Sequence, residues 1–161
     1  MGAESERGGA SPSSVGSPRT AAEIRERILA EHRELRELLA EVLTLSRTVA
    51  SRDDEESLKL AVRALVLVFG EHLRSEEAVL VPTLERVEPW GPARVERLDE
   101  EHATQRAMLK DIFASIGKLD DRTQLAERAA AFATRLLDDM NEEEADLLTP
   151  TIFHDAILVV D

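Results

Sequence analysis

From Thr20 onward, apolar side chains recur every three or four residues in four successive stretches, and most of the later glycines and prolines fall between those stretches. This spacing puts one apolar stripe on each of four α-helices. The first stretch opens with Thr20-x-x-Glu23, a capping-box pattern, and carries Ile24, Ile28, Leu35, Leu38, Val42, Leu45 and Val49 to about Ala50. The acidic run Asp53-Asp54-Glu55-Glu56 suits the partially positive start of a second helix. That helix bears Leu58, Leu65, Val68, Phe69, Val79 and Leu80, and Pro82 is expected to bend or end it. A loop at Glu88–Pro92 leads to a third helix with Val95, Leu98, Met108, Ile112 and Ile116, stopping near Gly117. The fourth begins around Asp121–Leu125 and runs through Phe132, Leu136 and Leu147 to about Pro150. Ile157–Val160 reads equally as a short helix or an edge strand. Long amphipathic helices with short connections predict an all-α, antiparallel up-down-up-down four-helix bundle.

The bundle is expected to occupy residues 21–161. Residues 1–20, rich in Gly, Ser and Pro, lack the large apolar groups a core needs and read as a flexible tail. The chain has no cysteine, which excludes disulfides, thiolate-ligated zinc or iron–sulfur clusters, and cysteine nucleophiles. With 33 acidic against 20 basic residues its formal charge is −13. Such a surface repels phosphate backbones and anionic lipid, and no apolar run nears the roughly 18–20 residues of a membrane span. The expectation is a cytoplasmic protein with no nucleic-acid or membrane partner.

Against this plain helical frame, the histidines are misplaced. Three of the four fall on apolar stripes of three different helices. His32 lies between Ile28 and Leu35, and His72 follows Val68 by four with Glu76 four further on. His102 follows Leu98 by four. On the fourth helix Leu136, Met140, Glu144 and Leu147 share a side, which turns a second carboxylate inward. Burying unpaired carboxylates costs several kcal/mol, so two of them among three imidazoles call for a shared cation. His154 reads as a surface residue, and Arg36 and Arg106 as flank charges able to swing toward a carboxylate. An internal repeat supports the register: Glu31-His32-x-x-x-Arg36 matches Glu101-His102-x-x-x-Arg106, and His72–Pro82 matches Met140–Pro150. Aligning the prolines selects Glu144 over Glu143 as the counterpart of Glu76.

These residues resemble the hemerythrin-like, or HHE cation-binding, family over about residues 21–153, most specifically in EHLRSEEAVLVPTLE. The family's pattern is a His on helix one, His-x-x-x-Glu on helix two, a His on helix three and His-x-x-x-Glu (or a nearby Asp) on helix four. The resemblance implies a bundle holding two non-haem irons bridged by carboxylates. It implies metal ligands at His32, His72, Glu76, His102 and Glu144, with iron, as a pair or single ion, or another divalent metal as cofactor. Two positions depart from the pattern. Arg106 stands where oxygen-carrying members have a second helix-three His, and Met140 replaces the helix-four His. A thioether is a soft ligand, poorly matched to ferric iron, so an incomplete or asymmetric centre is expected.

Three functions follow from how such a site is completed. The first is an iron protein that binds or senses O2, nitric oxide, peroxide or iron supply. The second is a peroxide-consuming enzyme using the under-ligated iron. The third is a metal-free descendant serving as a protein-interaction module, with Arg106 neutralising Glu76 or Glu144.

Overall fold

The structure, a computed structural model, describes residues 19–87, 89–154 and 158–159. The stretch 1–18, most of the segment read as a tail, lies outside the described residues. Four helices account for the fold: α1 (Ala21–Thr48), α2 (Arg52–Leu84), α3 (Gly91–Ile116) and α4 (Arg122–Asp146). They form the expected four-helix bundle. Of the segment left open between helix and strand, Leu158–Val159 is extended (β2) and pairs antiparallel with Arg19–Thr20 (β1), Thr20 opposite Leu158. Among the described residues, no helix is long and apolar enough to cross a membrane.

Local chemistry sets the helix ends. Thr20 accepts a hydrogen bond from the Glu23 backbone N–H at 3.2 Å while Glu23 accepts from the Thr20 N–H at 2.8 Å, closing the box expected from sequence. Ser51 and Asp54 form a second reciprocal box at the start of α2, and Asp121 caps α4 through the Gln124 N–H. Pro82 does not end α2, which continues to Leu84. Proline removes one backbone donor, a loss the flanking helix tolerates so close to its end. Helix α4 stops at Asp146, short of the expected Pro150, which lies in the turn beyond. Gly91 opens α3 where its N–H donates to Val87 O at 2.8 Å. An added Cβ there would lie 2.2 Å from Leu84 O, so only glycine allows α2 and α3 to approach so closely at this corner.

The core falls into two apolar clusters with a polar layer between. One contains Leu35, Val42, Leu65, Phe69, Ile112, Phe132 and Leu136. The other, at the opposite end, contains Ile24, Ile28, Leu80, Leu84, Leu98 and Phe153. Val68 is a correction to the sequence reading: it is 41% exposed, because Leu65, Phe69 and His72 turn inward around it. His32, Glu76 and His102 fall between the two clusters in sequence on their helices, and His72 lies at the border, next to Leu73 of the first cluster. They are buried with apolar packing above and below.

Candidate metal centre

Each of α1, α2 and α3 delivers one imidazole to this layer. His32 is 0% exposed, His72 4% and His102 2%, and Glu76 on α2 is 1% exposed. The three rings share one arrangement. His32 Nδ1 lies 2.8 Å from Glu144 Oε1, His72 Nδ1 2.9 Å from Glu31 Oε2, and His102 Nδ1 3.0 Å from Glu77 Oε1. Carboxylate oxygens accept, so each Nδ1 carries a hydrogen and each Nε2 faces inward, where it holds either a proton or a cation. A carboxylate behind the distal nitrogen is the usual means of fixing tautomer and ring orientation in metal-binding histidines. Each of these carboxylates is held in turn by an arginine: Glu144 by Arg36 at 2.7 Å, Glu77 by Arg106 at 2.6 Å and Glu31 by Arg27 at 3.2 Å.

The inward atoms converge on Glu76. His32 Nε2 and His72 Nε2 are 3.1 Å apart, and Glu76 Oε1 lies 2.8 Å from the latter and 3.4 Å from the former. Glu76 Oε2 lies 3.0 Å from His102 Nε2. One carboxylate therefore turns one oxygen to a pair of imidazoles and the other to a third imidazole. A cation with donor atoms at about 2.0–2.2 Å has ligand–ligand edges of about 2.8–3.6 Å between right-angled and tetrahedral geometry. The three separations among His32 Nε2, His72 Nε2 and Glu76 Oε1 fall in that range. These three residues meet the spacing expected of a metal-binding group. Without a cation or protons, three lone-pair atoms would face one another in a buried space. Among the described residues Glu76 Oε1 has no hydrogen-bond partner in good geometry, which a native interior rarely tolerates. The donor set fits a metal ion.

The electrostatics agree. Burial alone would raise the Glu76 carboxyl, yet the hydrogen bond from His102 and the adjoining His32 and His72 rings hold it well below the usual carboxylate range. Burial pulls His72 down, but its bonds to Glu31 and Glu76 outweigh that and push it up to about 9. His102 is likewise raised, by Glu76 and Glu77 against its burial. In the metal-free protein, protons stand in for the missing positive charge.

On α4 the structure places the two neighbouring glutamates differently from the proline alignment. Glu143, its side chain 9% exposed, has Oε2 3.9 Å from His32 Nε2 and borders Glu76. Burial and the Glu76 charge push its carboxyl well above the ordinary range. Glu144 lies outside the cluster, on His32 Nδ1 and Arg36, its side chain 28% exposed. The two prolines used in that alignment are not equivalent: Pro82 sits inside α2, whereas Pro150 lies past the end of α4. The heptad spacing Ala129, Leu136, Glu143 carries the inward signal instead, since Ala129 and Leu136 are both fully buried.

Met140 is 1% exposed and packs with the apolar cluster. Arg106 turns outward to Glu77 rather than to Glu76 or Glu144. Gln105, one residue earlier, is the buried one, and its Oε1 has no partner. His154 is exposed, as expected. Glu31 and Glu77, the carboxylates behind His72 and His102, escaped the sequence reading; each lies beside a ligand candidate in sequence but serves a histidine on another helix.

Residues 23–151 match the family model described as "Hemerythrin HHE cation binding domain". No curated protein and no solved structure matches the chain.

Proposed function

Because the chain belongs to the hemerythrin HHE cation-binding domain family, we propose that it is a non-haem iron protein whose unsymmetrical centre binds or senses a small molecule such as O2, nitric oxide or peroxide. The observation that carries this reading is the convergence of three Nε2 atoms on the two oxygens of one buried glutamate. His32, His72 and Glu76 Oε1 hold the better-furnished position. His102 and Glu76 Oε2 reach toward a second. Glu143 supplies the carboxylate that the proline alignment assigned to Glu144, and Glu144 keeps the His32 ring in place. When bound, iron supplies reversible electron transfer to the small molecule.

The protein's own groups do the rest. The Nδ1 carboxylates of Glu144, Glu31 and Glu77 lock three rings with Nε2 inward, and the arginines behind them keep those carboxylates charged. The apolar clusters on either side limit water, which strengthens every charge interaction in the layer. With Arg106 and Met140 at two expected ligand positions, the second position carries a single imidazole, which leaves it the more open of the two.

Anaerobic titration of the metal-free chain with iron(II) against a competing chelator tests the reading. The expected result is one tight site lost in His72→Ala, a weaker second site lost in His102→Ala, and an absorption change when O2, nitric oxide or peroxide is admitted. Iron retention no greater than that of the His72→Ala variant would overturn it in favour of a metal-free interaction module.

A further inference from the structure

A narrow pocket with a free volume of about 50 Å³ lies between α3 and α4, lined by Arg94, Leu98, Glu142, Glu143 and Leu147. Two of its groups lack partners. Arg94 Nε is a buried donor and Glu143 Oε1 a buried acceptor, and neither meets a hydrogen-bonding atom among the described residues. Arg97 spans the mouth, paired with Glu101 on its own helix at 2.9 Å and with Asp146 on α4 at 3.5 Å. The other oxygen of Glu143 faces His32 Nε2 at 3.9 Å, so the pocket is separated from the centre by the width of one carboxyl group.

Unmatched buried polar groups of opposite kind at one cavity are matched by ordered water or a bound solute. At about 10–15 Å³ per water, this volume holds a few waters or one small solute. The solute must accept from Arg94 and hydrogen-bond to Glu143. Glu101, Glu142 and Asp146 around it disfavour anions. Dioxygen and nitric oxide have no hydrogen to donate and accept poorly. Hydrogen peroxide is neutral, fits the volume, and both donates and accepts at each oxygen.

We propose that this pocket is an outer binding site for a neutral, peroxide-sized molecule, held between Arg94 Nε and Glu143 Oε1 before it reaches the centre. The proposal rests on the preceding reading only in taking the centre as the molecule's destination; the binding itself is a property of the pocket.

The test titrates hydrogen peroxide into full-length protein, both metal-free and loaded with redox-silent zinc, and follows the Arg94 and Arg97 Nε–H signals by nitrogen–proton correlation NMR. Mass spectrometry checks that the methionines stay unoxidised. The expected result is a saturable shift at Arg94 with only a small linear drift at the exposed Arg97. In Leu147→Trp, which fills the pocket, the saturable response at the Arg94 signal should vanish. In Arg94→Lys, which keeps the charge but lacks Nε, the saturable response of the Glu143 backbone amide should weaken at least tenfold. A linear Arg94 shift, or saturation unchanged in both folded variants, overturns the proposal. Failure to retain zinc while Arg94 still saturates would instead fault the reading of the centre and leave the pocket standing.

Discussion

Replacing Glu143 or Glu144 with glutamine removes one charge from neighbouring residues while nearly preserving shape, and the geometry assigns the two variants opposite profiles. Glu143 Oε2 is 3.9 Å from His32 Nε2, so a cation bound about 2 Å from that nitrogen on its Glu143-facing side lies within about 4 Å of the carboxylate. At that separation and an effective dielectric near 20, a unit charge pair interacts by about 4 kcal/mol. Deprotonating Glu143, whose carboxyl burial and Glu76 push upward, offsets part of this. Glu143→Gln should therefore lose less than the full pair energy, with metal affinity falling by less than about 1000-fold but by more than in Glu144→Gln. The metal-free protein should scarcely notice, since glutamine resembles the neutral acid. Glu144 reaches the centre only through His32 Nδ1, an outer-shell role for which losses near the low end of 10–100-fold are expected. Its loss also strips Arg36 and His32 of their partner, costing the metal-free fold about 0.5–1 kcal/mol at this partly exposed site, or roughly 1–4 °C. Chelator competition and thermal melts of both metal-free variants measure the two quantities. A larger affinity loss in Glu144→Gln than in Glu143→Gln would refute the assignment and restore the proline register.

Four further outcomes are expected. A cation must displace the proton from His72, which its carboxylate neighbours push up to about 9. Apparent affinity should therefore rise about tenfold per pH unit toward pH 9; a flat profile between pH 6 and 9 would contradict this. The same shift fixes the sign for the metal-free fold: the folded value lies above the ordinary 6.5, so the His72 contribution is complete below about pH 6.5 and lost as pH rises through about 9. With free metal at 100 times Kd, binding stabilises the fold by about 2.7 kcal/mol, so chelation should lower the melting temperature by about 5–11 °C; an unchanged melt with metal loss confirmed would count against the site. Gly91→Ala, whose Cβ would lie 2.2 Å from Leu84 O, should cost about 1–3 kcal/mol in denaturant titration, and a neutral result would show that the corner is looser than described.

The helices and three of the inward histidines were legible because their signals are periodic: four stripes at helical spacing, with His32, His72 and His102 in line with Ile28, Phe69 and Leu98. Glu76 was legible through its four-residue step from His72. The choice between Glu143 and Glu144 was not, since adjacent residues on a helix differ by about 100° and both belong to the run Glu142-Glu143-Glu144. Composition cannot separate them; the rotation of α4 against α1 does. Glu31 and Glu77 were hidden for another reason. Their partners, His72 and His102, are on other helices, and no spacing along the chain records which helices adjoin at a given depth. Val68 sat at the correct spacing from His72 and is nonetheless exposed, because the inward stripe of α2 runs through Leu65, Phe69 and Leu73 beside it. The arginines read as flank charges proved to be flank charges with partners, each bound to a carboxylate that orients a histidine.

Anomalous diffraction at the iron edge from crystals of the iron-loaded protein tests the central claim most directly. The expected result is a peak within about 2.0–2.2 Å of His32 Nε2, His72 Nε2 and Glu76 Oε1, with any second, weaker peak beside His102 Nε2 and Glu76 Oε2. Iron found only on surface carboxylates, with the three imidazoles joined to Glu76 through protons alone, would contradict it.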